Sequence, residues 1–211
     1  MTAEMPLSHR SAVTVEIDTP QGPALVHLHE APEAAGALVL GHGAGGGFGA
    51  KDLVAATGAA QEAGLTVVQV EQPYLVAGRR SPAPAKQLDT AWTAVVEHLR
   101  GGELDGLSLV AGGRSAGARV ACRTAAETGA VAVLCLAFPV HPPGRPEKTR
   151  LDELDAVEAP VLVVQGDSDP FGMPPPAPGR KVVTVPGNHS LKGDLGAVAA
   201  TVRDWLPGVL P

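Results

Sequence analysis

A serine flanked by two glycines is the first feature of this sequence with the spacing of a catalytic group. Gly113, Ser115 and Gly117 form G-x-S-x-G between an apolar run at 107–113 and a stretch of helical periodicity at 116–128. A serine on so sharp a strand-to-helix turn needs neighbours without a Cβ atom, because the chain passes close to itself there. The pattern predicts that Ser115 is a nucleophile whose hydroxyl projects above a sheet.

A nucleophilic serine needs a base that takes its proton and an acid that orients the base. Asp167 and Asp169 follow one Val-rich run and His189 follows the next, in the order serine, acid, histidine. Because the carboxyl ends of parallel strands meet at one edge of a sheet, we expect these groups to converge on Ser115. We select Asp169 as the acid, since Asp167 directly follows its strand and is expected to be held in the turn.

Several histidines have alternative interpretations. His189 also fits a polar loop residue at the start of a helix capped by Asn188. His141 is expected to line the pocket and is a rival base. His27 and His29 share a strand face and could begin a metal site, but no third ligand follows at a suitable spacing. No metal is therefore expected.

Acyl transfer also requires N–H donors that stabilise negative charge on the reacting oxygen. These donors come from the residue after the nucleophile and from the loop after the third strand. Here they are Ala116 and Ala44, the latter within the glycine-rich segment HGAGGGFG. Glycines allow such a loop to curve inward, so that peptide N–H groups face the site.

The same glycine-rich loop has a second interpretation as a dinucleotide-binding turn. Gly41, Gly43 and Gly46 match G-x-G-x-x-G, and Glu71 ends the next strand near the place of a ribose-binding acid. We disfavour this interpretation because His42 would crowd a phosphate-binding turn and because two strands precede the motif. No cofactor is expected.

The elements that must position these groups follow from the hydropathy pattern. Alternating segments at 12–18 and 24–30 predict an antiparallel hairpin at a sheet edge. Buried strands are predicted at 37–42, 65–71, 107–113, 130–138, 160–166 and 181–186, and helices at 50–63, 86–100, 116–128, 151–157 and 191–206. This alternation predicts an α/β fold with a mostly parallel eight-stranded sheet and helices on both faces.

Length and composition limit the organisation and the partners. The 211 residues predict one domain, 1–211, and the connection between the sixth and seventh strands, about 20 residues, leaves no room for a large lid. With 3% aromatic residues and a net charge of -6, nucleic-acid binding is disfavoured. The N-terminus lacks a signal-peptide core, no apolar run reaches membrane-spanning length, and both cysteines lie in apolar runs. We expect a cytoplasmic protein without a membrane anchor.

Basic residues are expected in the loops of the same sheet edge. They are Arg79, Arg80, Lys86, Arg114, Arg145 and Lys148. Together with His141, the arginines of this basic rim are the candidate substrate-binding residues, since they would attract an anionic acyl substrate. The other interpretation is a solvated face, or structural arginine pairs with Glu71 and Asp89.

Six segments of the sequence carry a resemblance to a known family: GHGAGG, EQPYLVAGRRSPAP, GGRSAG, FPVHPPGRPEK, QGDSDPFG and PGNHS. They resemble the α/β-hydrolase superfamily, and within it the branch named for NSL-complex subunit 3 and testis-expressed protein 30, which has dienelactone hydrolase-like relatives. The resemblance implies a triad of Ser115, Asp169 and His189, with Ala44 and Ala116 as oxyanion donors. Ala116 departs from the branch, which often has a bulkier Met there.

The resemblance and the ordered triad lead to one expected activity and one alternative. The expected activity is that of a serine hydrolase, an esterase or thioesterase, that forms an acyl-enzyme on a small substrate and needs no cofactor. Some eukaryotic members of the branch look like complex subunits, so a non-catalytic hydrolase-fold interaction module is the alternative. The intact triad argues against that alternative, because non-catalytic relatives usually lose one of these groups.

Overall fold

The structure, a computed structural model, describes residues 12–211, and the first eleven residues of the predicted domain lie outside this range. Its strands are β1 (Val13–Thr19), β2 (Gly22–His29), β3 (Ala37–Gly41), β4 (Thr66–Glu71), β5 (Leu109–Arg114), β6 (Ala132–Leu136), β7 (Val161–Gly166) and β8 (Arg180–Val185). Its helices are α1 (Lys51–Glu62), α2 (Pro73–Val76), α3 (Ala85–Arg100), α4 (Ala116–Thr128), α5 (Leu151–Asp155) and α6 (Leu195–Trp205).

All the strands pair in one sheet in the order β1-β2-β4-β3-β5-β6-β7-β8. The two pairings of β2, with β1 and with β4, are antiparallel, and the other pairings are parallel. This arrangement confirms the predicted fold, including the antiparallel hairpin at one edge. The register places Gly41 at the end of β3 beside Gly113 near the end of β5, which brings the glycine-rich loop next to the serine turn.

Alternating side chains of the strands divide the core into two apolar layers. Val39 and Val133 face the layer of α3, α4 and α5, where Trp92 is fully buried. Leu38 and Leu134 face the other layer, which α1 and α6 cover. Because both faces are covered, the strands are continuous apolar runs, as the sequence predicts.

The segment that joins β6 to β7, residues 137–160, carries only the short helix α5 and forms no lid. β6 is shorter than its predicted span 130–138, since Ala137 has a φ of 50° and ends the extended backbone. Helix α2 is not predicted by the sequence analysis; it is a single turn that begins at Pro73, a residue suited to the first helical position.

The last helix begins later than its predicted start at 191. Asp194 precedes it and accepts a hydrogen bond from the Ala197 N–H, 2.8 Å from Oδ1, as an N-cap. Asn188, proposed above as a helix cap, instead accepts from the backbone and hydroxyl of Ser190 and closes a turn. His189 therefore lies in a loop that is separate from α6.

Among residues 12–211, no helix combines the length and the apolar character that a membrane span requires. The same range holds no group of three or more His, Cys, Asp or Glu side chains suited to a metal ion. His27 instead packs edge-on against Phe48, with 4.1 Å between the ring centroids. The two cysteines, Cys122 on α4 and Cys135 on β6, are buried free thiols, as their position in apolar runs of the sequence indicates.

Candidate active site

Ser115 lies on a strained turn between β5 and α4. Its φ of 53° and ψ of -108° are unusual for a residue other than glycine. Its N–H donates to the Leu136 carbonyl on β6, at 2.9 Å, and fixes the turn. A Cβ at Gly113 would fall 2.6 Å from the Gly41 carbonyl oxygen, and a Cβ at Gly117 would overlap the same peptide. The two glycines are therefore required by close backbone contact with β3.

Three side chains converge on this turn in an unbroken chain of hydrogen bonds. His189 Nε2 lies 2.8 Å from Ser115 Oγ, and His189 Nδ1 lies 2.8 Å from Asp169 Oδ2. The carboxylate can only accept, so Nδ1 carries the proton and Nε2 is left to accept from the serine hydroxyl. Asp169 is 1% exposed and His189 17% exposed, so water reaches the imidazole but not the carboxylate.

The two aspartates of the acid loop, which follows β7, differ in exposure and in hydrogen-bond partners. Asp169 Oδ1 accepts from the Phe171 N–H at 2.9 Å, and Oδ2 accepts from Gln165 Nε2 at 2.8 Å. Asp167 is exposed, and its Oδ1 accepts from the Gly187 N–H at 3.0 Å. Asp169 is therefore the carboxylate that reaches His189. Gln165, which is fully buried, was not singled out by the sequence analysis.

Two backbone N–H groups beside Ser115 are free to donate. Within residues 12–211, neither the Ala116 N–H at the start of α4 nor the Ala44 N–H has a hydrogen-bond acceptor. The pairing of β3 with β5 brings their two loops together at the carboxyl edge of the sheet. These are the properties that an oxyanion site requires, and they belong to the two donors that the sequence predicts.

His42 orients the Ala44 donor, a contribution that the sequence analysis did not foresee. Its Nδ1–H donates to the Gly43 carbonyl at 2.7 Å, while Nε2 accepts from the Gln72 N–H at 3.1 Å. Because the peptide is planar and trans, a carbonyl held on one side turns the Ala44 N–H to the other. Tyr74 Oη donates to the Ala44 carbonyl at 2.9 Å and fixes the next peptide. Burial lowers the pKa of His42, which keeps the ring neutral.

Arg114 does not extend to the rim of the site. Its Nε donates to Asp52 Oδ2 at 2.7 Å, and its Nη2 donates to the His189 carbonyl at 3.0 Å. Burial raises the pKa of Asp52, while the charge of Arg114 acts in the opposite direction. Two of the three guanidinium nitrogens are thus occupied by protein groups, which leaves the predicted substrate contact of Arg114 without support.

The other members of the basic rim face solvent. Arg79, Arg80, Lys86, Arg145 and Lys148 are exposed and form no ion pair within residues 12–211. Asp89, one of the carboxylates considered as their partner, pairs with Arg123 instead. His141 hydrogen-bonds through Nδ1 to the Pro142 carbonyl at 3.0 Å, and its ring lies beside Gly172 of the acid loop.

One aromatic ring packs on the triad, and a separate cavity, which no triad residue lines, lies near Tyr74. The Phe171 ring packs on the imidazole of His189, with 4.2 Å between centroids. A cavity of 350 Å³ lies beyond Tyr74, between the β1–β2 turn and the segment that contains α2. Val76, Arg79 and Leu88 are among its lining residues, so it combines an apolar floor with a guanidinium.

Solved structures with the same fold include serine hydrolases. A lidless α/β serine hydrolase from Xanthomonas campestris is 24% identical, with a TM-score of 0.76, and the match covers 98% of this chain and 99% of that chain. Est1E from Butyrivibrio proteoclasticus with bound ferulic acid is 19% identical over 92% of this chain and 98% of that chain (TM-score 0.76). Dienelactone hydrolase from Anabaena variabilis is 19% identical over 96% and 100% of the two chains (TM-score 0.76).

These likenesses, all below 25% identity, show the fold alone. A comparison with curated protein sequences finds no match. A family model described as "Alpha/beta hydrolase domain" matches residues 34–192, a span that begins before β3 and includes the serine turn, the acid loop and His189. The chain belongs to the α/β hydrolase domain family.

Proposed function

We propose that this protein is a serine hydrolase that cleaves a small acyl ester or thioester. The observation that carries the proposal is the continuous hydrogen-bond chain from Asp169 through His189 to Ser115 on its strained turn. The six sequence segments described above support a place in the branch of NSL-complex subunit 3 and testis-expressed protein 30, near dienelactone hydrolase-like proteins.

The geometry supports a two-step acyl transfer. Ser115 Oγ attacks the carbonyl carbon while His189 Nε2 takes its proton and then delivers it to the leaving group. Asp169 holds the imidazole and stabilises its positive charge. The N–H groups of Ala44 and Ala116 stabilise the oxyanion. A water molecule, activated by the same imidazole, then hydrolyses the acyl-serine and restores the enzyme.

We infer an anionic substrate from the exposed cations of the basic rim. Five exposed cations of the rim have no carboxylate partner within residues 12–211, and Arg79 borders the 350 Å³ cavity. A small anionic acyl group would gain from the long-range attraction of these cations. Est1E, which shares the fold, binds ferulic acid, a small carboxylic acid, and supports a substrate of that size.

Labelling with a fluorophosphonate and turnover of a short p-nitrophenyl ester test the nucleophile. Ser115→Ala is expected to abolish both, because no other hydroxyl within residues 12–211 hydrogen-bonds to the His189 ring. Ser168→Ala, an exposed serine of the acid loop, is the matched control and should retain both. Unchanged labelling of the Ser115 variant would refute the assignment. A wild-type protein that never labels but copurifies with a stable partner would favour the interaction module.

Substrate charge is tested by comparing kcat/KM for a neutral ester and its carboxylated analogue at low and high salt. Attraction by the rim predicts a preference for the carboxylated ester that declines as salt rises. Arg79→Gln should reduce that preference, whereas Arg100→Gln, an exposed arginine on α3, should not. Equal kcat/KM values with no effect of salt would contradict an anionic substrate.

A further inference from the structure

We infer that Arg114 is a positioning residue that aligns His189 with Ser115 by joining three loops of the site. The inference rests on the proposed hydrolase function and adds to it a residue outside the triad. It also assigns Arg114 a different task from that of the exposed rim, since its guanidinium contacts protein groups where a substrate-binding arginine would contact the ligand.

Asp52 anchors the guanidinium of Arg114. The carboxylate lies in the first turn of α1, where the helix dipole favours a negative charge, and it is only 1% exposed. Arg114 Nε donates to it at 2.7 Å, and the Leu53 N–H donates to its other oxygen at 3.0 Å. A buried charge held from two sides gives the guanidinium a fixed reference point in the body of the fold.

The two terminal nitrogens of the guanidinium reach the two other loops. Nη2 donates to the backbone carbonyl of His189 at 3.0 Å, so Arg114 holds the residue whose ring hydrogen-bonds to Ser115. Nη1 lies over Gly43 of the glycine-rich loop, where a Cβ would fall 2.6 Å from it. Arg114 is itself the residue before Ser115, so one planar group links the serine turn, the histidine loop and the glycine-rich loop.

Only arginine can form this connection. Its donors are spread over a rigid fork, whereas a lysine ammonium is a single point at the end of a flexible stem. Arg114→Lys should therefore keep the ion pair with Asp52 and lose the contact with the His189 carbonyl. The second test variant, Arg114→Gln combined with Asp52→Asn, removes both charges and leaves no buried carboxylate unpaired.

Steady-state kinetics on neutral and carboxylated esters separate positioning from substrate binding. Both variants should lower kcat by about 10- to 100-fold on both esters with KM nearly unchanged, because a misplaced imidazole acts in the transition state. A substrate contact would instead raise KM for the carboxylated ester alone, and that result would overturn the inference. Arg180→Gln, which breaks the ion pair between a buried arginine and the exposed Asp155 at the amino end of β8, should keep the wild-type kcat.

A proton NMR measurement makes the inference independent of turnover. The Nδ1 proton of His189, assigned by its loss in His189→Gln, reports the hydrogen bond to Asp169. We expect this resonance to broaden or move upfield in Arg114→Lys and to stay in place in Arg180→Gln. An unchanged resonance in Arg114→Lys would refute the positioning role, even if the wild-type protein cleaved no ester and the proposed function failed separately.

Discussion

The carboxyl edge of the sheet and the layer formed by α3, α4 and α5 use the same residue types for different purposes. At the edge, Arg114 pairs with a fully buried carboxylate and donates to a loop carbonyl. In the helix layer, Arg119 and Arg123 share Glu153, and Arg123 also pairs with Asp89, all partly exposed. The first arrangement joins loops and the second joins helices. Activity and stability should therefore be separable by mutation.

The largest expected effect distinguishes the two aspartates of the acid loop. Asp169→Asn removes the acceptor that sets the tautomer of His189 and should lower kcat by about 10⁴-fold. Asp167→Asn alters only an exposed turn contact and should leave kcat near the wild-type value. Ester kinetics on the purified variants provide the measurement. Comparable losses in both variants would show that the loop acts as a unit and would remove the distinction.

Two glycine-to-alanine substitutions compare the cost of a close backbone contact with the gain from higher helix propensity. Gly117→Ala pushes a Cβ into the peptide of Gly41 and should cost about 3 kcal/mol of unfolding free energy, together with activity. Gly58→Ala in α1 meets no atom within 4 Å and should gain about 0.5–1 kcal/mol. Urea unfolding of both variants tests the comparison. An unchanged unfolding free energy in Gly117→Ala would mean that the serine turn can shift to accommodate the added Cβ.

The helix layer can be weakened without touching the site. Arg123→Gln breaks the link from α4 to α3 and one of the two links from α4 to α5, and it should cost about 1–2 kcal/mol of unfolding free energy, since the side chain is 17% exposed. The kcat of the folded enzyme should not change. Urea unfolding and ester kinetics on the same preparation test this. A large fall in kcat would show that the ion pairs between these helices also position the triad side chains.

The smallest effect is a pH dependence that arises from His42. Burial lowers the pKa of this histidine in the folded chain, so below about pH 6.5 the unfolded chain binds a proton that the folded chain does not. Unfolding free energy should therefore fall as pH decreases through that range, and His29, whose pKa is also lowered by burial, adds to the trend.

Urea unfolding at about pH 8 and about pH 5 measures this dependence. His42→Gln should reduce the difference between the two conditions, because Gln cannot take up the proton. His98→Asn, an exposed histidine on α3, is the control and should leave the difference unchanged. An identical pH dependence in His42→Gln and wild type would contradict the buried neutral histidine.

The convergence of the three triad side chains could be predicted from the sequence, because it depends on local rules. Ser115 is marked by glycines two residues away on each side, and His189 and Asp169 each follow a recognisable strand. Parallel strands carry their loops to one edge, so chain order is enough to bring the groups together. The preference for the third residue of the acid loop follows from turn geometry in the same way.

The contacts of Arg114 could not be predicted, because its partner Asp52 lies 62 positions earlier and on another element. A basic residue in a loop at the carboxyl edge of the sheet has the same sequence pattern whether its side chain faces solvent or the interior. From the sequence, His42 is only an obstacle to phosphate binding. Its role in orienting the Ala44 N–H depends on a hydrogen bond to the Gly43 carbonyl, whose direction no residue spacing reveals. The late start of α6 has a local cause: Leu191 lies four residues before Leu195, so it extends the apolar period of the helix past the true cap, Asp194.

The uncovered carboxyl edge sets the time course of ligand exchange. The 137–160 segment carries only the short helix α5 and forms no lid, so entry and departure need no opening of a lid in that segment. Under the proposed function, encounter with a substrate would be governed by diffusion and by the field of the exposed cations, and a weakly held ligand would stay only briefly. Discrimination between esters would then depend on which acyl groups remain long enough to reach the serine.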